Sequence, residues 1–167
     1  PSCLERGKTE FLAQQQKALP RRNYEPARRI FERCLKLNPD NVDTLLSLGG
    51  VAMEQNSLSS AQDYFWRAIK NMPRTSPYWS YTYSMLGDIA FKQNRPHDAM
   101  KYYEKSLEYN KAYVNSLVGK AVILENLGNV QDAARAYKVA LAVEPLNVVA
   151  RRHLTALEPG YFTDEEM

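Results

Sequence analysis

Residues 45–52 read LLSLGGVA and residues 83–90 read YSMLGDIA. The octets agree in kind at four places. A large apolar residue (Leu45, Tyr83) is followed by Leu48-Gly49 or Leu86-Gly87, then by Ala52 or Ala90. Offsets of three, four and seven put these residues on one face of a helix. A glycine on that face leaves room for a second helix to come close. Leu117-x2-Lys120-Ala121-x2-Leu124 is a degenerate copy, and Phe11 with Ala18 is a weaker one.

A second element recurs after each octet. Ala27-x3-Phe31, Ala61-x3-Phe65, Ala99-x3-Tyr103 and Ala133-x3-Tyr137 are each followed four residues later by Leu35, Ile69, Leu107 or Leu141. The alanines are spaced 34, 38 and 34 apart. Pro39, Pro73 and Pro145 follow their alanines by a constant interval, and Lys111 stands where the third copy would have proline. Polar turns at Gln55-Asn56-Ser57, 92–96 and Leu127-Gly128-Asn129 split each copy into two amphipathic helices. No stretch alternates with period two, so no strand is expected.

This pattern resembles the tetratricopeptide repeat family, W-x2-L-G-x2-Y…A-x3-F…P on a period of about 34 residues. The resemblance implies an all-α fold, a right-handed superhelical array of helix-turn-helix repeats. The expected boundaries are a lead-in at 1–7, a first repeat at 8–41 with a degenerate first helix, and a second at 42–79 that includes a four-residue insertion. A third repeat covers 80–113 with its first helix starting near 77, and a fourth covers 114–147. A capping helix at 148–158 and a mobile tail at 159–167 follow. In the first repeat Gln14-Gln15 occupies the Leu-Gly place, and Pro20 is expected to shorten the first helix. The large rings Phe31, Phe65, Tyr103 and Tyr137 are expected to fill the space between repeats.

The chain has 167 residues with a formal net charge of +3, and the excess lies early. Residues 1–41 hold nine Lys or Arg against five Asp or Glu, with Arg21, Arg22, Arg28, Arg29 and Arg33 at the centre. That patch is too modest for a dedicated nucleic-acid binder, and RNA binding through it is the least favoured reading. No run reaches the ~18 apolar residues of a membrane helix, so no membrane insertion is expected. The first residue is Pro, which reads as an excerpt of a longer protein or a processed chain. Cys3 and Cys34 are too few for a disulfide framework and sit in no metal-ligand motif, so a reducing, cytoplasmic setting (with the nucleus as a second compartment) is the expectation.

No nucleotide-binding or metalloprotease motif occurs, and His97 and His153 stand apart from any nucleophile. The chain is read as a non-enzyme without cofactor or metal. Its expected function is protein recognition as an adaptor or scaffold, with self-association or packing against its own chain as the alternative. By the resemblance, the first helix of each repeat lines a concave groove that takes a short peptide or amphipathic helix. The groove residues would be Leu46, Gly50 and Met53, then Tyr78, Tyr81, Ser84, Asp88 and Phe91, then Asn115, Val118, Val122 and Glu125, with Arg152 at the far end. Some relatives grip an acidic C-terminus with Lys, Asn and Arg. The corresponding places here are Leu12, Gln16, Leu46 or Gly50, Tyr81 and Met85, none charged, so the chain is not read as such a clamp.

The 38-residue interval contains RTSPYWSYTYSMLGD, residues 74–88. Four extra residues are close to one helical turn, and Ser76-Pro77 is a start signal, so the third repeat's first helix is expected to begin one turn early, with a flexible four-residue loop as the alternative. On it Trp79, Tyr83, Leu86 and Ala90 share the expected core face, while Tyr78 and Tyr81 join Ser84 and Asp88 on the groove side. Trp66 is placed on the outer side of its helix, as a second contact surface or packed under a part of the protein outside this sequence.

Overall fold

A computed structural model describes residues 2–17 and 22–162. Its described residues form nine helices and no strand: α1 Cys3–Gln15, α2 Glu25–Leu37, α3 Val42–Glu54, α4 Leu58–Asn71, α5 Trp79–Lys92, α6 Pro96–Tyr109, α7 Val114–Asn126, α8 Val130–Val143 and α9 Val148–Leu157. The chain divides into two compact units, Pro1–Ser76 with α1 to α4 and Pro77–Met167 with α5 to α9. In the first, α1 packs on α2, α2 on α3, and α3 on α4. In the second, consecutive helices pack in turn and α5 also touches α7.

In the pairs α3/α4, α5/α6 and α7/α8 a left-handed residue makes the turn. Asn56 and Asn94 have φ of 56° and 59°, and Gly128 has φ of 80°. Each reverses the chain so that the following amide reaches back to the helix: Ser57 N–H to Ala52 O at 2.8 Å, Arg95 to Ala90 at 2.9 Å, and Asn129 to Leu124 at 2.9 Å. This satisfies carbonyls that a helix end leaves without partners. The next helix therefore starts two residues later and lies back along the first.

The pair is closed by a ring on a glycine. A Cβ added to Gly49 would lie 2.6 Å from Phe65 Cε1, and one added to Gly87 would lie 2.5 Å from Tyr103 Cε1. Tyr103 is pressed from its other side by Gly119 of α7, whose added Cβ would meet Cε2 at 2.7 Å. Phe31, Phe65 and Tyr137 are at most 1% exposed. The ring at each Ala-x3-ring position thus fills the space that the small residue leaves open.

The first pair departs from expectation. Its small residue is Gly7, against which Phe31 packs, and not the Gln14-Gln15 place. Helix α1 accordingly begins at Cys3, inside the expected lead-in, with Ser2 as its cap and Glu5 closing a capping box. Gln14 is buried and serves a different end: its side chain donates to Glu10 and accepts from Lys17 and from the Asn23 amide. The expectations for Ala18, Pro20 and Arg21 fall outside the described residues.

Cys3 and Cys34 form a disulfide between α1 and α2, with their Cα atoms 5.8 Å apart. Two cysteines are too few for a framework but enough for one staple, so cysteine count no longer argues for a reducing setting. The staple falls where apolar packing is thin. Of α1 only Gly7 and Gln14 are buried, with Leu4 and Phe11 half-covered against the cluster of Tyr24, Ala27, Phe31, Leu48 and Val51.

The early start expected for α5 is also corrected. Its first residue is Trp79, and Tyr78, in the αR region, precedes it as cap. Ser76 and Pro77 lie ahead of the helix in turns, the Ser76 amide bonding to Pro73 O at 3.0 Å. Trp79 and Tyr83 are not core. They stack with Tyr109 of α6 in a half-exposed group, centroids 5.2 to 6.1 Å apart. The expected core partners Leu86 and Ala90 are buried. At the far end, the part of the expected mobile tail that is described is packed: Arg151 lies over Phe162 at 4.5 Å and Lys138 over Tyr161 at 4.8 Å. Residues 163–167 are outside the description.

Gly49→Val forces a branched side chain into the Phe65 ring, and overpacking of this kind costs about 1–3 kcal/mol. Urea unfolding is expected to show that loss. Gly128→Ala, where nothing lies within 4 Å, is expected to show only the smaller penalty of a left-handed backbone.

Candidate functional site

The residues expected to line a groove occur in both units and are taken unit by unit. In the first, Leu46 is 6% exposed and packs inside, which corrects its assignment as a contact residue. It sits on a helix whose buried face is unusually wide, Thr44, Leu45, Leu46, Leu48, Gly49, Val51 and Ala52 all being covered. Met53 and Gly50 remain half-buried, and Trp66 is 40% exposed on α4.

The second unit gathers most of the rest around α5 and α7. Asp88 is the centre. Its Oδ1 accepts the Tyr103 hydroxyl at 2.6 Å. Burial raises the Asp88 carboxyl above its ordinary range, against the pull of the Tyr103 bond and of Lys92. Tyr81 is half-buried, and its phenol is pushed up to about 12 by desolvation, then by Tyr113 and Asp88. Tyr113 is also raised by burial and by Asp88, while its bond with Asn115 acts the other way. Asn115 itself is exposed at the start of α7. So Tyr81, Asp88, Tyr103, Tyr113 and Asn115 are electrostatically coupled in one half-covered cluster.

Other expected residues fall out of it. Ser84 is fully buried, which corrects its place on an open face. Its hydroxyl is the buried side-chain polar atom that finds no partner among the described residues. Nearby hydroxyls do pair: Ser80 and Ser106 exchange bonds with each other's carbonyls at 3.0 and 2.8 Å, and Ser116 donates to Ser106 Oγ at 2.7 Å. Glu125 is engaged internally, accepting the Tyr137 hydroxyl at 2.8 Å with His153 Nδ1 also at 2.8 Å. His153 further stacks on Tyr137, centroids 5.4 Å apart. Val118 and Val122 are half-buried against the cluster around Ala121, Tyr137 and Leu154. Tyr78, Phe91 and Arg152 are exposed.

Sequence reasoning missed Tyr103, Tyr113 and His153 as polar partners. Tyr103 and Tyr137 stand where Phe31 and Phe65 stand, so their hydroxyls are the one additional atom that could have signalled a carboxylate nearby. Among the described residues no cluster of three or more His, Cys, Asp or Glu could hold a metal, and no helix is long and apolar enough to cross a membrane.

The comparisons agree with this architecture. The family model described as tetratricopeptide repeat matches residues 16–75 and 84–146. Tetratricopeptide repeat protein 14 of Mus musculus is 29% identical over 140 residues, which cover 78% of this chain and 18% of the relative. The uncharacterized protein ycf37 of Cyanophora paradoxa is 26% identical over 112 residues, covering 67% and 65%. The chain thus spans less than two thirds of either relative. The solved MamA protein has a TM-score of 0.72 at 18% identity, covering 93% of this chain and 78% of its own. YrrB, described as a TPR protein with an unusual peptide-binding site, has a TM-score of 0.62 at 18% identity, covering 92% and 82%. At these identities the structures share the fold.

The raised Asp88 carboxyl sets a pH dependence. The folded state holds this proton more tightly than the unfolded chain, whose value is near 3.8. Unfolding is therefore linked to proton release, and the Asp88 contribution falls as pH rises from 3.8 through the raised folded value. Denaturation of wild type and Asp88→Asn across pH is expected to show the wild type losing ground to the variant over that window. A difference that grows in favour of wild type would reverse the sign.

Proposed function

The chain belongs to the tetratricopeptide repeat family, and we propose that its second unit binds a short peptide or amphipathic helix of a partner protein on the side of α5 and α7 that carries Tyr81, Asp88 and Asn115. Members of this family are in general non-enzymatic protein-interaction modules. The finer reading adds the binding face and a role as adaptor or scaffold within a larger protein or complex.

One observation carries it. Asp88, Tyr81, Tyr113 and Asn115 combine a dehydrated carboxylate, aromatic rings and an exposed amide on two adjacent helices. The repeat architecture does not need them, because the helix pair is closed by Gly87, Tyr103 and the alanines. Partly desolvated polar groups beside rings are the composition of protein-interface centres. An extended peptide could exchange backbone hydrogen bonds with Asn115 and Asp88 and rest on the rings. Tyr78, Val118 and Val122 extend the contact as apolar flanks. Glu125, held by Tyr137 and His153, supports α7 and α9 in place of touching the partner.

Self-association is the second reading. It is favoured by exposed apolar residues on and between α8 and α9: Val139, Val143, Leu146, Val148 and Val149. RNA binding has no comparable support, since Arg28 and Arg29 pair with Glu25 and Arg28 with Glu32. We place the module inside the cell, in the cytoplasm first. There the Cys3–Cys34 pair would be held as thiols, and the bridge would form on oxidation.

Affinity capture with wild type beside an Asp88→Ala/Asn115→Ala variant tests the face. Partners retained by wild type and lost by the variant, with circular dichroism showing the variant folded despite the lost acceptor of the Tyr103 hydroxyl, are the expected result. Equal capture by both proteins overturns the assignment. Sedimentation across concentration should show a monomer, and a concentration-dependent dimer would instead favour self-association.

A further inference from the structure

Glu54, Asp88 and Glu125 each accept a hydrogen bond from a tyrosine outside their own helix, and the three sites can be compared. Glu54 Oε2 takes the Tyr24 hydroxyl at 2.9 Å and has the Arg22 guanidinium at 3.7 Å. Glu125 Oε2 takes the Tyr137 hydroxyl and has His153 Nδ1 at 2.8 Å. Asp88 takes the Tyr103 hydroxyl, but among the described residues it forms no ion pair. The cation whose field reaches it is Lys92, exposed one turn further along α5. Two of the three carboxylates therefore have a tyrosine and a nitrogen base of this chain, and the third has the tyrosine.

The difference matters because a tyrosine hydroxyl is a neutral donor. It can satisfy one oxygen but leaves the charge of a dehydrated carboxylate uncompensated, whereas a guanidinium or ammonium does both. The surroundings of Asp88 suit such a group. Tyr81 and Tyr113 lie close enough for their phenols to feel its charge, and aromatic faces attract cations. Asp88, Tyr81 and Tyr113 are all partly accessible, and Asn115 is open to solvent.

We propose that Asp88 is the seat for a basic side chain of the bound partner peptide, with Tyr81 and Tyr113 beside the cation. The partner supplies to Asp88 the nitrogen that Arg22 supplies to Glu54 and His153 to Glu125. Arginine fits better than lysine, since its planar fork can pair with a carboxylate and stack on a ring at once. This inference rests on the peptide-binding reading of the second unit and adds the partner's charge to it. It also separates this chain from relatives that hold acidic C-termini: an acidic residue here would meet the Asp88 charge.

Three randomised nonapeptide pools, identical except for a central arginine, citrulline or glutamate, provide the probe, read by fluorescence anisotropy on the full chain. Citrulline keeps the shape of arginine and removes its charge. Wild type is expected to bind the arginine pool about tenfold more tightly than the citrulline pool, with the glutamate pool weakest. Asp88→Asn keeps an acceptor for the Tyr103 hydroxyl and is expected to erase the arginine preference. Equal binding of the arginine and citrulline pools, or a preference that survives Asp88→Asn, overturns the cation seat and leaves peptide binding standing. No binding by any pool overturns both. Should Asp88→Asn fail to fold, Asn115→Arg changes an exposed position and brings the chain's own guanidinium to the cluster. It is expected to abolish the same preference, and an intact preference overturns the proposal.

Discussion

The contact between a large ring and a small residue of the preceding helix governs this structure. Phe31 against Gly7, Phe65 against Gly49 and Tyr103 against Gly87 are the same contact made three times. Missing Cβ atoms let the helices of a pair approach until one ring fills the space, and dispersion then acts over the whole ring surface. Tyr103 adds a second role by meeting Gly119 of the following helix, so one side chain locks α5 to α6 and α6 to α7. The left-handed turn residues Asn56, Asn94 and Gly128 set the direction of each return, and the rings set its distance.

Exchanging phenylalanine for tyrosine at that position changes what the structure can do. Phe31 and Phe65 end in carbon and ask nothing of their surroundings. The hydroxyls of Tyr103 and Tyr137 are carried to the surface of the preceding helix, where Asp88 and Glu125 meet them. Burial raises both phenols, with each neighbouring carboxylate adding to the shift, so these tyrosines remain neutral donors. A packing device thereby becomes a support for charge. At Glu125 the same oxygen also meets Nδ1 of His153 of α9, which stacks on Tyr137 and fastens the last helix. At Asp88 no described residue forms an ion pair, and this difference between successive repeats is the chemical feature that separates the candidate site from its scaffold.

The small polar residues of α5 show how closely the scaffold and the site are interleaved. Ser80, Ser106 and Ser116 form a buried chain of hydroxyl bonds linking α5, α6 and α7. One turn later Ser84 has no such outlet, and one turn later again Asp88 reaches partial exposure. Along one helix face the structure passes from satisfied interior polarity, through one buried hydroxyl without a partner among the described residues, to a partly exposed carboxylate. Such groups are costly inside a protein unless they find partners.

The repeat period, the helical pairs and the small residues at Gly49 and Gly87 were legible in the sequence, because each depends on residues whose spacing follows from 3.6 residues per turn. Leu48-Gly49 and Leu86-Gly87 announce the close approach, but the rings, expected between repeats, pack on a glycine of their own pair, and the role of Gly7 was not foreseen. Periodicity assigns a face but not a depth. That is why Leu46 and Ser84 could be placed beside a groove and yet be buried, and why Trp79 and Tyr83 could be placed in the core and yet stack half-exposed on Tyr109. Depth, pairing and charge compensation come from residues brought together by the fold. Cys34 reaches Cys3 from 31 positions away, His153 reaches Glu125 from 28, and Tyr103 reaches Asp88 from 15. Local pattern determined the helices and their contacts in each pair; only tertiary packing decided which carboxylate would be left dehydrated without a cation, since that depends on what every neighbouring helix brings to it.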